Sequence, residues 1–145
     1  MASLHVEIVT PEAALWVGDA QALMARSSMG LFTVLAGHTA TVGDVVPEVV
    51  RVVSAGEEQS FTVHGGYFQV GPGHGEGVTR ATVLASVAER TSDIDVARAQ
   101  RAKARAEEAL AAEGRGEPAD HPAHLWAPAA LARAELRLRA AGSAG

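Results

Sequence analysis

One change of rhythm constrains this chain more than any other feature. Up to about residue 88 apolar residues alternate with polar ones in short runs. The segment 88–99, Ala-Glu-Arg-Thr-Ser-Asp-Ile-Asp-Val-Ala-Arg-Ala, ends that pattern, and beyond it alanine, arginine and glutamate recur at helical spacing. Period two and period 3.6 cannot both serve one element, because they line up different side chains on one face. The chain therefore divides into a strand-rich part and a helical part joined at this segment.

In the first part Leu4-His5-Val6-Glu7-Ile8 alternates, and Pro11 stops it. Further runs follow at 20–26, 31–35, 45–53, 58–64, 67–70 and 78–87, with Gly30, Gly37, Gly43, Gly65 and Gly66 among them and a glycine-rich stretch over 71–77. Turn residues at intervals of about 8–12 positions predict an antiparallel sandwich or barrel. No helical pattern intervenes between these runs, which argues against a parallel arrangement. Aromatic residues make up only 4% of the chain against 48% apolar residues, so Val, Leu, Ile and Ala must fill the core.

The second part predicts two helices. Ser92 or Asp93 is placed to cap the first, with Asp95 in its first turn, where the helix dipole favours an anion. That helix spans 95–113, about 28 Å at 1.5 Å per residue, and Gly114 and Gly116 end it. A connector over 114–127 contains Pro118 and Pro122. Pro128 suits the first turn of a second helix over 129–141. Leu131, Ala134, Leu138 and Ala141 form one stripe, which Ala102, Ala106 and Ala109 can face in an antiparallel hairpin. The expected fold class is α+β, with a sandwich or barrel over 1–89 and a two-helix antiparallel hairpin over 90–145.

Charge and composition remove several functions. The net charge is −5 over 145 residues, which argues against electrostatic steering onto nucleic acid. Residues 1–90 carry all of it, since 91–145 hold eight acids and eight bases. The absence of cysteine excludes disulfides and thiolate chemistry. Met1-Ala2-Ser3 leads into the first alternating run without a basic stretch, so no signal peptide is expected. No apolar run approaches the roughly 18–20 residues of a membrane span, so no direct insertion is expected.

Few residues suggest chemistry. The glycines of 71–77 precede a strand pattern and lack a following Gly-Lys-Ser/Thr, so they read as a hairpin loop and not a phosphate cradle. His121 and His124 sit in a proline-rich connector with only Asp120 beside them, which reads as loop histidines. No nucleophile setting or carboxylate pair stands out, so catalysis is not expected. The helical part is more specific. Asp95, Arg98, Ala99 and Ala102 follow i, i+3, i+4, i+7 spacing and share a face. Arg133 and Arg137 lie one turn apart, and neither has an acid three or four positions away. If the helices fold back, Arg98, Arg133 and Arg137 converge on a phosphate chain, and Asp95 and Ala99 border a flat base. The competing account is that these arginines are solvated or pair with a partner protein.

Several motifs, taken in order, resemble the epsilon subunit of bacterial F-type ATP synthases. They are Val9-Thr-Pro-Glu12, Gly37-His38, Val63-His-Gly-Gly-Tyr-Phe-Gln-Val70, Ala81-Thr-Val-Leu-Ala85, Ala88-Glu-Arg followed by Asp93-Ile-Asp-Val-Ala-Arg-Ala99, Ala102-Lys-Ala-Arg-Ala-Glu107, and Leu131-Ala-Arg-Ala-Glu-Leu-Arg-Leu138. One departure is Thr33-Val-Leu-Ala36-Gly-His-Thr-Ala40, where the family commonly carries prolines around Gly-His. The resemblance implies an N-terminal β-sandwich that binds the gamma subunit and the c-ring at the foot of the central stalk, couples rotation to proton flow, and is not itself catalytic. It implies a hairpin that lies folded or extends into the catalytic alpha/beta hexamer, where it inhibits ATP hydrolysis. It places the chain at the cytoplasmic side of the bacterial plasma membrane as a peripheral protein. It implies no required cofactor. In some members regulatory ATP binds the folded form, and that resemblance maps the ATP site onto Glu89, Ile94, Asp95, Arg98, Ala99, Arg133 and Arg137. The alternative is a stand-alone nucleotide-binding or scaffold protein outside a rotary complex. A neighbouring gene for a catalytic beta subunit would separate the two.

Overall fold

The structure, a computed structural model, describes residues 2–113 and 123–142. It falls into two compact units, Met1–Arg90 and Thr91–Gly145.

The first unit is a β-sandwich of two five-stranded sheets. Its strands are β1 (Ser3–Val9), β2 (Ala14–Ala20), β3 (Ala22–Ser27), β4 (Gly30–Val34), β5 (Thr41–Val45), β6 (Glu48–Ser54), β7 (Glu57–Val63), β8 (Gly66–Pro72), β9 (Val78–Ala85) and β10 (Ala88–Arg90). One sheet runs β2-β1-β9-β8-β5 and the other β10-β7-β6-β3-β4. Every pair is antiparallel except β1 with β9, which lie parallel from Ser3↔Val78 to Val9↔Leu84. A parallel pair needs a long connection, and here seven intervening strands supply it in place of a crossover helix.

Alternation places the core. In β1 the inward residues Leu4, Val6 and Ile8 are buried, and in β9 Ala81, Val83 and Ala85 are their counterparts. Leu23, Val50, Val52, Phe61 and Val63 line the facing sheet. Burying each such Val, Leu, Ile or Phe contributes roughly 1.5–3 kcal/mol. The sheets also meet through aromatic rings: Phe32 of β4 and Phe68 of β8 lie with centroids 4.3 Å apart at an interplanar angle of 30°. Phe68 occupies the space over Gly43, where a Cβ would stand 2.6 Å from its Cε1. That close approach explains a glycine inside β5.

The turn that departs from the proline-bearing pattern closes without proline. Gly37 adopts φ +85°, a conformation glycine takes at no steric cost. Its N–H donates to Thr79 Oγ1 at 2.7 Å, and the His38 N–H donates to the Leu35 carbonyl at 3.1 Å.

Strands β2, β5 and β10 have no counterpart among the runs expected from the sequence. The strand expected from Ala20 starts at Ala22 as β3. The single run expected over 45–53 is divided, since β5 ends at Val45 and β6 starts at Glu48.

The second unit holds a 3₁₀ turn, Thr91–Asp93, then α1 (Val96–Glu113) and α2 (Ala123–Gly142). The two helices pack on one another, and α2 also meets the 3₁₀ turn. Ala99 and Ala106 of α1 are buried, as are Ala127, Ala134, Leu136 and Ala140 of α2. Small side chains thus dominate the buried positions, and each removes little area from water. Lys103 Nζ lies 3.8 Å from Glu107 Oε1 one turn later on α1.

Two features of this unit differ from the sequence expectation. The cap of α1 is neither Ser92 nor Asp93, because both lie in the 3₁₀ turn. The second helix begins at Ala123 and not at 129, so Pro128 is interior. As the sixth helical residue, Pro128 forfeits one backbone hydrogen bond, to the carbonyl of residue 124. Most of the expected connector, 114–122 with His121, lies outside the described residues, as does the side chain of His124. No described helix is long and apolar enough to cross a membrane.

Candidate functional site

Asp95 organises the start of α1. Its Oδ1 accepts the Arg98 backbone N–H at 3.0 Å, and its carbonyl accepts the Ala99 N–H at 3.0 Å. This is the geometry of an N-cap, in which the side chain satisfies a backbone donor that the first helical turn leaves without a partner. The bond uses one of the two carboxylate oxygens. Ile94, half-buried, closes the 3₁₀ turn by donating its N–H to the Thr91 carbonyl at 3.3 Å.

The remaining helical candidates separate by exposure. Asp95 and Arg98 are exposed, while Ala99 is only 3% exposed and belongs to the packed side of α1. Of the two residues expected to border a flat base, Asp95 is exposed and Ala99 lies on the packed side of the helix. Arg133 and Arg137 are half-buried on α2, one turn apart and flanking buried Ala134 and Leu136. The unit thus contains both groups, one on α1 and its preceding turn and the other on α2, a helix that packs against both. Guanidinium groups and the first turn of a helix are each of a chemistry that suits phosphate oxygens.

Glu89 belongs to the other unit. It is the middle residue of β10, across from Thr62 of β7. Its Oε1 lies 3.9 Å from Nε2 of His64, whose side chain is 4% exposed. Arg90 also pairs within the sandwich, opposite Phe61, so the structural division falls after Arg90. Its Nη1 donates to Gln59 Oε1 at 3.1 Å and its Nη2 to the Leu15 carbonyl at 2.6 Å. The guanidinium carbon sits 5.4 Å from the Phe61 ring centroid, within the range of a cation–π contact. Sequence reasoning singled out neither His64 nor Arg90 as a site residue. The available signal was the alternation of Ala88-Glu-Arg, which sends Glu89 and Arg90 to opposite faces. Among the described residues no group of three or more His, Asp or Glu side chains is placed to hold a metal ion.

The two units match two family descriptions in order. Residues 3–91 match "ATP synthase, Delta/Epsilon chain, beta-sandwich domain", and residues 92–142 match "ATP synthase, Delta/Epsilon chain, long alpha-helix domain". The chain is 39% identical over 141 residues to the ATP synthase epsilon chain of Bordetella avium (strain 197N), covering 96% of each. It is 33% identical over 145 residues to that of Shouchella clausii (strain KSM-K16), covering 100% of this chain and 99% of the relative. Among solved structures, a chain of the Euglena gracilis mitochondrial ATP synthase superposes with a TM-score of 0.71 at 22% identity, over 94% of this chain and 79% of that one. At that identity the likeness speaks to the fold.

Proposed function

The chain belongs to the ATP synthase delta/epsilon family as an epsilon chain, and from that premise we propose that it is a non-catalytic rotor subunit whose helical unit regulates ATP hydrolysis. The sandwich docks on the gamma subunit and the c-ring of the central stalk and transmits rotation coupled to proton flow. The helical hairpin extends toward the catalytic alpha/beta hexamer in its inhibitory state. The complex places the subunit at the cytoplasmic side of the bacterial plasma membrane. The match of both units to epsilon chains over nearly the whole chain sets aside a scaffold outside a rotary complex.

The observation that carries the regulatory reading is the division at Arg90 into two compact units, the second buried mainly through alanine. A helix pair with so little apolar area is suited to a two-state element with a small free-energy gap. A ligand biases such an element only by binding one state more tightly. ATP is the proposed ligand, and its phosphates meet Arg98, Arg133 and Arg137. Asp95 and Ile94 frame the same half of the site, Ala99 packs beneath it, and the family resemblance adds Glu89 to the residues on which ATP binding depends.

The test is an ATP titration of the full chain, with a distance probe placed across α1 and α2. ATP closes the hairpin in the wild-type chain, and Arg133→Ala with Arg137→Ala weakens ATP affinity at least tenfold while the sandwich stays folded. No ATP-dependent change in the wild type would remove the sensor role and leave the stalk role standing.

A further inference from the structure

We infer that Arg90 is a positioning residue, the register lock of β10, which keeps Glu89 on the face opposite the sandwich core and sets the point where the chain leaves the sandwich. Its value to an ATP response rests on the function proposed above. The lock itself does not.

The strand it holds is weak by construction. β10 has three residues and lies at the edge of its sheet, paired only with β7. So short an edge strand has few ladder hydrogen bonds and belongs to the part of a structure that opens first. Its register nevertheless decides which face each residue takes, because side chains alternate and a one-residue slip moves each to the other face. In the observed register Ala88 faces Val63, Glu89 faces Thr62 and Arg90 faces Phe61. Phe61 and Val63 are core residues with no exposed surface. Ala88 and Arg90 therefore share their side, and Glu89 stands on the opposite one.

Ala88 is too small to enforce that choice. Arg90 enforces it through three contacts on its side. Its fork reaches Gln59, which lies in β7, and the Leu15 carbonyl, which lies in β2 of the other sheet. Its planar group lies over Phe61. One side chain thus ties the last strand to its neighbour and to the facing layer. A slip that turned Arg90 outward would leave the Leu15 carbonyl without this donor. It would also bring the Glu89 carboxylate toward the electron-rich face of Phe61, where the ring quadrupole opposes it. Lysine cannot reproduce the fork, since its ammonium is a point charge without the planar pair of donors.

The experiment measures amide hydrogen exchange at residues 88–90 in the full chain without ATP. Arg90→Ala raises exchange there at least tenfold and leaves Val52 and Val83 unchanged, with Arg90→Lys in between. Exchange within twofold of wild type would overturn the lock. If Arg90→Ala unfolds the sandwich, Arg90→Lys decides, since it keeps the charge and loses the fork: selective loss of protection at 88–90 supports the lock, and unchanged protection refutes it. A second arm measures ATP affinity for Arg90→Ala, Glu89→Gln and the double variant. If Arg90 acts through Glu89, the double variant binds no more weakly than Glu89→Gln alone. Additive losses would contradict the positioning role. A wild-type chain that binds no ATP would refute the proposed sensor and leave the exchange result to decide the lock.

Discussion

Asp95 has two separable jobs, and separating them is a demanding test of the site. As N-cap it holds the Arg98 N–H at 3.0 Å. As part of the proposed nucleotide site it supplies a negative charge at the same place. Asp95→Ala removes both. Loss of an N-cap acceptor costs about 1 kcal/mol, roughly a fivefold change in the opening equilibrium of the first turn of α1. Asp93 cannot substitute, because it lies in the preceding 3₁₀ turn. Asp95→Asn keeps an oxygen in place and loses only the charge's favourable interaction with the helix dipole, about 0.3–1 kcal/mol at the surface. Amide exchange of Arg98 and Ala99, measured without ATP, rises about fivefold in the alanine variant and less in the asparagine variant. ATP affinity then falls in both variants, and in Asp95→Asn by more than the loss of protection accounts for. Arg98 exchange within twofold of wild type in Asp95→Ala would contradict the capping role. Wild-type ATP affinity in Asp95→Asn would contradict a role for the Asp95 charge in the site.

Two further outcomes test the sandwich. Gly43→Ala puts a Cβ 2.6 Å from Phe68 Cε1, and overpacking of this kind costs roughly 1–3 kcal/mol, read as a lower urea midpoint with an unchanged slope. Thr79→Val keeps the shape of a buried residue but removes the acceptor for the Gly37 N–H. The expected loss is about 1 kcal/mol, with faster exchange at Gly37 and little change at Val52.

Which elements the sequence reveals follows from burial. β1 and β9 are inner strands with one face in the core, and their alternation is plain. The three missed strands are all edge strands: β2 and β5 bound one sheet and β10 the other. An edge strand has one neighbour, so its sequence is less constrained. In β2 Leu15-Trp16-Val17 breaks the alternation, and in β5 Gly43 makes room for Phe68. Pro128 hid the first turn of α2 because one lost hydrogen bond is tolerable near a helix start. The face shared by Asp95 and Arg98 was legible because helical spacing is local. Burial of Ala99 was not, since the same small side chain fits an open surface or a helix seam. The contacts of Arg90 were invisible because its partners stand 31 and 75 residues away.

The proposed regulatory role stands or falls with restraint of ATP hydrolysis by the helical unit. The most direct test compares ATP hydrolysis by the assembled synthase carrying the full chain with one carrying a chain that ends at Arg90, the last residue of the sandwich unit. Hydrolysis is expected to be severalfold faster in the truncated complex, with the subunit still bound. Equal rates in the two complexes, with the truncated subunit present at full occupancy, would contradict the regulatory role.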